Sequence, residues 1–251
     1  MERVRSRFQG VSNVFRFNWH FYLLSAVSAF ILFIAGRYFE IPALYILGAA
    51  AVVQSALSLG VTFYVYDLSN LYGLEWLDGI AVNSSGKLVT LNAGFDETSE
   101  FLKLRYPNAE LLVFDFYDAA AHTEVSIKRA RQAQSVVTEA TKIRSSNIPV
   151  GNDQIDAAFL IFSAHEIRNN DERIRLFAEL RRICKEDGRI LVTEHLRDAA
   201  NFFAYNIGAF HFLPGSRWNK TFEKTGLMIS GEIKITPFVT TFVLKKNGRS
   251  S

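Results

Sequence analysis

Two long uncharged stretches near the N-terminus constrain this chain more than any other feature. Residues 17–36 are 20 consecutive residues without a charge, and residues 41–66 are 26. A helix of about 20 apolar residues is long enough to cross the hydrocarbon core of a bilayer. Aromatic residues gather near the ends of both stretches and small residues recur in the second, as is typical of helices that pair in lipid. We therefore predict a transmembrane helical hairpin.

The alternatives to a membrane hairpin fit the sequence less well. A cleaved signal peptide would end in a small-residue cleavage site and a polar mature start, whereas here a second apolar stretch follows at once. A buried hairpin in a soluble protein would use shorter runs. Four arginines precede the first stretch, while the short connection adds only Arg37. Because positive charge favours the cytoplasmic side, we expect a two-pass protein of the cell (inner) membrane, with both termini and the following domain in the cytoplasm.

Residues 67–82, DLSNLYGLEWLDGIAV, connect the hairpin to the rest of the chain and carry an apolar stripe. The stripe predicts an amphipathic helix that lies on the membrane surface or packs on the following domain. A turn at residues 83–86 ends the connection. The chain accordingly divides into a basic segment and hairpin (1–66), a connecting helix and turn (67–86) and a soluble domain (87–251).

From residue 87 onward, apolar runs of strand length alternate with amphipathic stretches of helix length. Such alternation is typical of a doubly wound α/β fold with a mainly parallel sheet. The run at residues 156–162 is apolar almost throughout, as expected of a strand buried on both faces. Two strand-like runs at the end predict a C-terminal antiparallel hairpin. The predicted strands are residues 87–92, 111–116, 135–141, 156–162, 189–193, 228–235 and 237–245, and the predicted helices are residues 97–105, 119–133, 171–185, 201–212 and 217–225.

The turn after the first predicted strand and the end of the second strand form one motif. The turn contains Asn92, Ala93 and Gly94, and Asp115 lies near the end of the second strand. Small residues let a ligand approach the backbone, and a carboxylate about 20 residues further on can accept hydrogen bonds from both hydroxyls of a ribose. The motif predicts a site for a cofactor that contains adenosine, either a nicotinamide dinucleotide or S-adenosylmethionine.

Charge at the start of the following helix favours one of these two cofactors. That helix opens with Asp96 and Glu97. Their negative charge would repel a pyrophosphate but tolerate the cationic methionine end of S-adenosylmethionine. The same carboxylates would also complement the helix dipole without any ligand. The sequence therefore favours S-adenosylmethionine, with a nicotinamide cofactor as the alternative.

Four segments in order carry a resemblance to a known family. They are VTLNAGFDETS, LLVFDFYD, IPVGNDQIDAAFLIFSAHEI and ELRRICKEDGRILVTEH, and the hairpin GEIKITPFVTTFVL follows them. Over residues 88–244 the chain resembles the class I S-adenosylmethionine-dependent methyltransferases, in particular the branch that includes the ubiquinone and menaquinone biosynthesis methyltransferases. The resemblance implies a Rossmann-like methyltransferase fold that closes with an antiparallel hairpin. It also implies a cofactor site that contains Asn92, Ala93, Gly94, Asp115, Phe116 and Ser163.

Candidate catalytic residues follow the predicted strands 156–162 and 189–193. Open α/β sheets bind ligands at the carboxyl ends of their strands, and histidine has a suitable pKa for a base near neutral pH. His195 with the adjacent Glu194 is the preferred pair, and His165 is the second candidate. The structural alternative is that Glu194 caps the next segment and His195 lies at the surface.

Composition and the anchor limit the partners. The net charge is only +3, so charge implies no nucleic-acid partner. The single cysteine excludes an internal disulfide, and no Cys/His cluster has the spacing of a metal site. A membrane anchor favours a lipophilic acceptor such as a quinone precursor, a polyene or a lipid. The aromatic run at residues 201–212 would line the site of that acceptor or belong to the core.

Three functional hypotheses follow from the sequence. The first is a membrane-anchored methyltransferase that uses S-adenosylmethionine. The second is a catalytically inactive, methyltransferase-like membrane scaffold, because Phe95 and Glu97 replace small residues of the family's first turn. The third is a nicotinamide-dependent oxidoreductase.

Overall fold

Two long apolar helices open the chain in the computed structural model, which describes residues 5–133 and 140–248. They are α1 over Gln9–Phe39 and α2 over Pro42–Phe63. By length and composition, both are able to cross a membrane. They form a hairpin in which the hydroxyls of Ser25 and Ser55 lie 2.9 Å apart. The two uncharged stretches of the sequence lie in these helices and in the short turn that continues α2.

The base of the hairpin is fixed to the rest of the molecule. The Asp67 carboxylate accepts hydrogen bonds from the backbone N–H groups of Gly10 and Val11, at 2.7 and 2.8 Å. These bonds satisfy two of the donors that the first turn of a helix leaves open. Phe17 is buried, and its ring contacts the edge of Phe95 with 5.5 Å between the ring centroids. The first turns of α1 therefore belong to the core of the following domain.

The segment between hairpin and sheet differs from the continuous amphipathic helix that its apolar stripe predicted. After α2 the chain forms one π-helical turn, Tyr64–Leu68, and later a short 3₁₀ turn, Glu75–Leu77. Leu74 adopts a φ of 58°, in the left-handed region, which ends any right-handed helix. Leu71, Leu74 and Leu77 are almost fully buried. The connection therefore packs on the domain, which was the second of the two expected positions.

One mixed sheet forms the centre of the domain and confirms the predicted α/β class. Its strands are β1 Lys87–Asn92, β2 Glu110–Asp115, β3 Thr141–Lys142, β4 Ile155–Ile161, β5 Cys184–His195, β6 Leu227–Thr236 and β7 Val239–Lys246. Their order across the sheet is β3-β2-β1-β4-β5-β7-β6. Strands β1 to β5 are parallel, and β7 is antiparallel to both of its neighbours, β5 and β6. Residues 135–139 of the predicted third strand lie outside the described residues.

Five helices follow the hairpin within the described part of the chain. They are α3 Ser99–Arg105, α4 Val125–Ala133, α5 Asn170–Ile183, α6 Ala199–Tyr205 and α7 Gly215–Lys224. The predicted helix 201–212 is divided into α6 and a 3₁₀ turn, Asn206–His211, because Asn206 adopts a φ of 49°. Cys184 lies at the buried start of β5 rather than in a helix.

The core lies on both faces of the sheet. Phe159 and Leu160, neighbours in β4, are fully buried and belong to separate clusters of apolar side chains. Alternate residues of a strand point to opposite faces, so β4 is covered from both sides, as its sequence predicted. The carboxyl ends of β1, β2, β4 and β5 lie along one edge, where all the predicted site residues are found.

Candidate active site

The turn after β1 is shaped by Asn92 and Gly94. The Asn92 side-chain oxygen accepts a hydrogen bond from the Gly94 N–H at 2.9 Å. Gly94 adopts a φ of 83°, which favours glycine because it carries no Cβ. The side-chain nitrogen of Asn92 is buried and has no hydrogen-bond acceptor within the described residues. The turn therefore contains one buried donor that no group in the described residues uses.

Asp115 ends β2 directly beside Asn92, its partner in the β1–β2 register. Its carboxylate accepts hydrogen bonds from the Tyr117 N–H at 2.9 Å and from the Arg131 guanidinium at 3.2 Å. That guanidinium also lies over the Tyr117 ring, and a Cβ added at Gly94 would overlap it. Arg131 thus occupies the space between the first turn and the Asp115 carboxylate. Arg131 lies in the last turn of α4, where a cation also complements the helix dipole.

The other predicted cofactor residues are buried at the same edge of the sheet. The Ser163 hydroxyl donates to the Leu91 carbonyl at 2.8 Å and so joins the end of β4 to β1. Ala93 and Phe116 are both buried, and the Phe116 ring meets His122 edge-on. Arg131 bonds Asp115 directly and lies against Gly94, which the turn's hydrogen bond joins to Asn92.

Glu97 does not leave a free negative charge at the start of α3. Its carboxylate accepts hydrogen bonds from Arg5 at 3.0 Å, Asn13 at 3.0 Å and the Tyr72 hydroxyl at 2.9 Å. The Arg5 guanidinium also stacks on the Tyr72 ring at 3.8 Å. The base of the hairpin is therefore bonded directly to the cofactor turn, a contact between residues that are far apart in sequence.

On the other side of the edge, Glu194 pairs with His165 and not with its sequence neighbour His195. Glu194 lies 2.6 Å from the His165 Nδ1 and accepts the His165 backbone N–H at 3.1 Å. Adjacent residues of a strand point to opposite faces, so a carboxylate cannot orient the next residue in β5. The predicted pairing of Glu194 with His195 is therefore wrong. Burial lowers the pKa of His165, but Glu194 and Glu166 outweigh burial and raise that pKa to about 10.

His195 lies inside an aromatic cage. Its ring is stacked between Phe162 and Phe212, with centroid distances of 5.1 and 4.8 Å. Nδ1 lies 2.8 Å from the Phe238 carbonyl, and Nε2 lies 2.9 Å from the Tyr66 hydroxyl. A carbonyl can only accept, so Nδ1 carries the proton and Nε2 accepts the Tyr66 hydrogen. His195 is buried rather than at the surface, and Tyr66 reaches it from the turn that continues α2.

The protonation states of the two candidate bases are opposite. Burial lowers the pKa of His195 to about 4, so its imidazole is neutral at pH 7. His165 is an imidazolium at the same pH, because its pKa of about 10 lies well above neutrality. A neutral imidazole can take a proton, whereas an imidazolium can only donate one. At pH 7, His195 can therefore accept a proton, whereas His165 can only donate one.

His211 lies beside His165 and Arg168. Its ring meets that of His165 edge-on at 5.1 Å, and Arg168 donates to its backbone carbonyl. Burial and the charges of His165 and Arg168 lower the pKa of His211 to about 3. His165, Glu166 and His211 offer ligand atoms that all lie within 4.8 Å of one another, a spacing that suits a metal cation. The Arg168 guanidinium already lies against the His211 ring, so the described arrangement is that of a hydrogen-bonded cluster.

Comparisons with known proteins agree with this fold. No family model matches the sequence. The demethylmenaquinone methyltransferase of Thermotoga maritima is 26% identical over 159 residues, which are 63% of this chain and 62% of that protein. The match therefore spans less than two thirds of the relative.

Solved structures resemble the chain over a larger part of its length. A SAM-dependent methyltransferase from Aquifex aeolicus has a TM-score of 0.53 at 12% identity, over 76% of this chain and 97% of that one. Geranyl diphosphate C-methyltransferase from Streptomyces coelicolor A3(2), solved with Mg²⁺, geranyl diphosphate and S-adenosyl-L-homocysteine, has a TM-score of 0.51 at 12% identity, over 72% and 82%. The domain has the fold of the class I S-adenosylmethionine-dependent methyltransferases, as the four sequence segments predicted.

Proposed function

We propose that the chain is a membrane-anchored methyltransferase that moves a methyl group from S-adenosylmethionine to a lipophilic acceptor. The observation that carries the proposal is the position of Asp115, beside the Gly94 turn at the carboxyl edge of the sheet. This edge is where open α/β sheets bind their ligands. The demethylmenaquinone methyltransferase to which the chain is similar suggests a quinone precursor as the acceptor, with a polyene or another lipid as alternatives.

The cofactor side of the site would be formed at the ends of β1, β2 and β4. Asp115 would accept hydrogen bonds from the ribose hydroxyls. The side-chain nitrogen of Asn92, which has no partner in the described residues, would bind the methionine end near Ala93 and Gly94. Phe116 and Ser163 would support the adenosine. The cofactor supplies the electrophilic methyl group on a sulfonium. Arg131 has to leave the Asp115 carboxylate before a ribose can bind there.

The acceptor side would be formed by His195 and the ion pair opposite it. If the acceptor is a hydroxyl, the Tyr66 hydroxyl would pass its proton to the His195 Nε2. The deprotonated oxygen could then accept the methyl group as the methyl–sulfur bond breaks and the cofactor leaves as a neutral thioether. His165, held by Glu194, would donate a hydrogen bond that positions the acceptor oxygen. The cage around His195 excludes water from this transfer.

The anchor would be the hairpin of residues 17–36 and 41–66, with its tip in the bilayer and its base, which includes Phe17 and Tyr66, packed on the domain. We place residues 1–66 in the anchor, 67–86 in the connection and 87–251 in the methyltransferase-like domain, on the cytoplasmic side of the cell (inner) membrane. Two apolar helices and an arginine-rich N-terminus support this assignment. Anchoring confines enzyme and lipophilic acceptor to the same surface.

Two alternatives have different support. A scaffold without activity is favoured by one observation, because Arg131 fills the place of a ribose at Asp115. A nicotinamide-dependent oxidoreductase has less support. The common dinucleotide-binding order, 3-2-1-4-5-6, lacks the antiparallel β7 that lies between β5 and β6 here.

Calorimetry on the full chain in detergent tests the proposal. We expect S-adenosylmethionine and S-adenosylhomocysteine to bind and NADH not to bind. Asp115→Ala should weaken binding about ten- to hundredfold, because a charge-assisted hydrogen bond is lost. Incubation with methyl-labelled cofactor and membrane lipid extract then separates enzyme from scaffold. Binding without any labelled lipid supports the scaffold, and binding of NADH alone contradicts the methyltransferase.

A further inference from the structure

We propose that a second surface of this protein, separate from the hairpin, lies in the lipid headgroup region of the bilayer. The surface is the exposed face of α6 and of the 3₁₀ turn after it, and we name it the aromatic face. The proposal rests on the hairpin being the membrane anchor. The aromatic face consists of Phe202, Phe203, Ile207 and Phe210.

The aromatic face is apolar, exposed and continuous in sequence. Phe202, Phe203, Ile207 and Phe210 are 50%, 69%, 70% and 59% exposed. Other residues of the same segment, such as Ala204, are fully buried against the domain. The segment is therefore fixed on one side and uncovered on the other. Large exposed apolar patches mark contacts with proteins or membranes.

The aromatic face adjoins the hairpin directly. The Gln54 side chain, in the middle of α2, donates to the backbone carbonyls of Phe203 and Ala204 at 3.2 and 3.1 Å. Val52 and Val53, next to Gln54, are 52% and 66% exposed. The outer surface of α2 and the aromatic face thus form one apolar surface. This continuity favours lipid over a protein partner as the occupant.

Helix length gives an independent reason for the same position. Beyond Gln54, α2 extends only over Pro42–Val53, about 18 Å at 1.5 Å per residue. The paired part of α1, from Ser25 to Phe39, extends about 21 Å. The hydrocarbon core of a bilayer is about 30 Å thick. If α6 and the base of the hairpin stayed in water, the hairpin would be about 10 Å too short to cross the hydrocarbon core. An interfacial helix lies about 5–10 Å deep in the bilayer, so placing α6 there makes up the difference.

Cationic side chains lie where headgroups would then be. The Arg197 guanidinium donates to the carbonyls of Phe210 and Phe212, at 2.7 and 2.9 Å, and lies over the Phe210 ring. At the base of α1, the Arg129 guanidinium lies over the Trp19 ring. Arginine and tryptophan are typical of the zone between lipid tails and water. Phe212, which follows the 3₁₀ turn, also stacks on His195, so the aromatic face lies next to the cage around the candidate base.

Site-specific fluorescence on the full chain tests the aromatic face. Phe203→Cys and Ile207→Cys are labelled with an environment-sensitive maleimide dye, and Leu104→Cys, at a position 58% exposed on α3, is the matched control. The native Cys184 is buried, and burial raises its pKa to about 12, so it competes poorly for the label. The proteins are reconstituted into phosphatidylcholine–phosphatidylglycerol vesicles with or without acyl-chain nitroxide lipids.

We expect blue-shifted emission and at least about twofold stronger quenching by nitroxide lipid at positions 203 and 207 than at position 104. Equal quenching at all three positions overturns the proposal. Flotation of the same samples separates the two failures. If the protein floats with the vesicles but quenching is not selective, the proposal for the aromatic face is wrong and the anchor stands. If the protein does not float with the vesicles, the anchor in the proposed function is wrong, and so is the inference that rests on it.

Discussion

At the residue scale, Arg131 fills the space in which the proposed function places the ribose of the cofactor. Its guanidinium bonds the Asp115 carboxylate and lies against Gly94. We expect Arg131→Gln to raise the affinity for S-adenosylmethionine up to about tenfold, because the ribose no longer competes with an ion pair worth about 1 kcal/mol. Calorimetry measures the effect, with Lys128→Gln, an exposed cation of the same helix, as the control. Lost binding in Arg131→Gln would instead identify Arg131 as a cofactor ligand.

The protonation states of His165 and His195 can be measured directly. We expect an imidazolium signal from His165 up to about pH 9, since Glu194 and Glu166 outweigh burial and raise its pKa to about 10. His195 should be neutral above pH 5, because burial lowers its pKa to about 4. Nitrogen-15 histidine NMR over pH 4 to 10 follows both rings. Glu194→Gln should move the His165 titration downward and leave that of His195 nearly unchanged.

The sign of the stability effect follows from the same raised pKa. The ion pair contributes fully below the ordinary histidine pKa of about 6.5 and is lost as pH rises through about 10. The difference in unfolding free energy between the wild-type chain and His165→Gln should therefore shrink over that window. A difference that grows with pH would contradict the assignment.

At the element scale, the π-helical turn Tyr64–Leu68 joins the anchor to the candidate base. Such turns are rare and occur frequently at functional sites. This one directs the Tyr66 hydroxyl onto the His195 Nε2, while Tyr64 in the same turn stays exposed. The segment that continues the hairpin therefore contributes a side chain to the candidate active site.

Substitutions in this turn test that role. We expect Tyr66→Phe to lower the methyl-transfer rate about tenfold, by removing the hydroxyl between acceptor and base, with Tyr64→Phe unchanged. His195→Ala should lower the rate by about 10² to 10⁴, the usual contribution of a general base. Cofactor affinity should stay nearly constant in all three variants. A loss of cofactor affinity in His195→Ala would assign His195 to structure alone.

At the scale of the whole molecule, the anchor and the domain share a core. We expect the full chain to sediment with membranes and to need detergent for release, because the hairpin is apolar on most of its surface. A chain that starts at Asp67 should be soluble or extractable by high salt without detergent, but should unfold at a lower temperature, since it lacks Phe17 and Tyr66. Ultracentrifugation and thermal unfolding measure the two effects. A full-length chain that stays in the supernatant would contradict the anchor.

The features that depend on neighbouring residues could be predicted from the sequence. The two uncharged stretches, the alternation of strand and helix, and the place of Asp115 at the end of β2 are all set by local patterns with periods of two or 3.6 residues. The order of four short segments then identified the fold, because each strand of a doubly wound sheet follows its helix in sequence.

The side chains that meet at the sheet edge come from distant parts of the chain, and the sequence did not predict these contacts. Glu194 and His195 are adjacent in sequence, yet strand geometry points them to opposite faces, and Glu194 bonds His165, 29 residues away. Tyr66 reaches His195 across 129 residues, and Arg5 reaches Glu97 across 92. The last two contacts depend on how the hairpin packs on the domain, and periodicity in the sequence does not predict that packing.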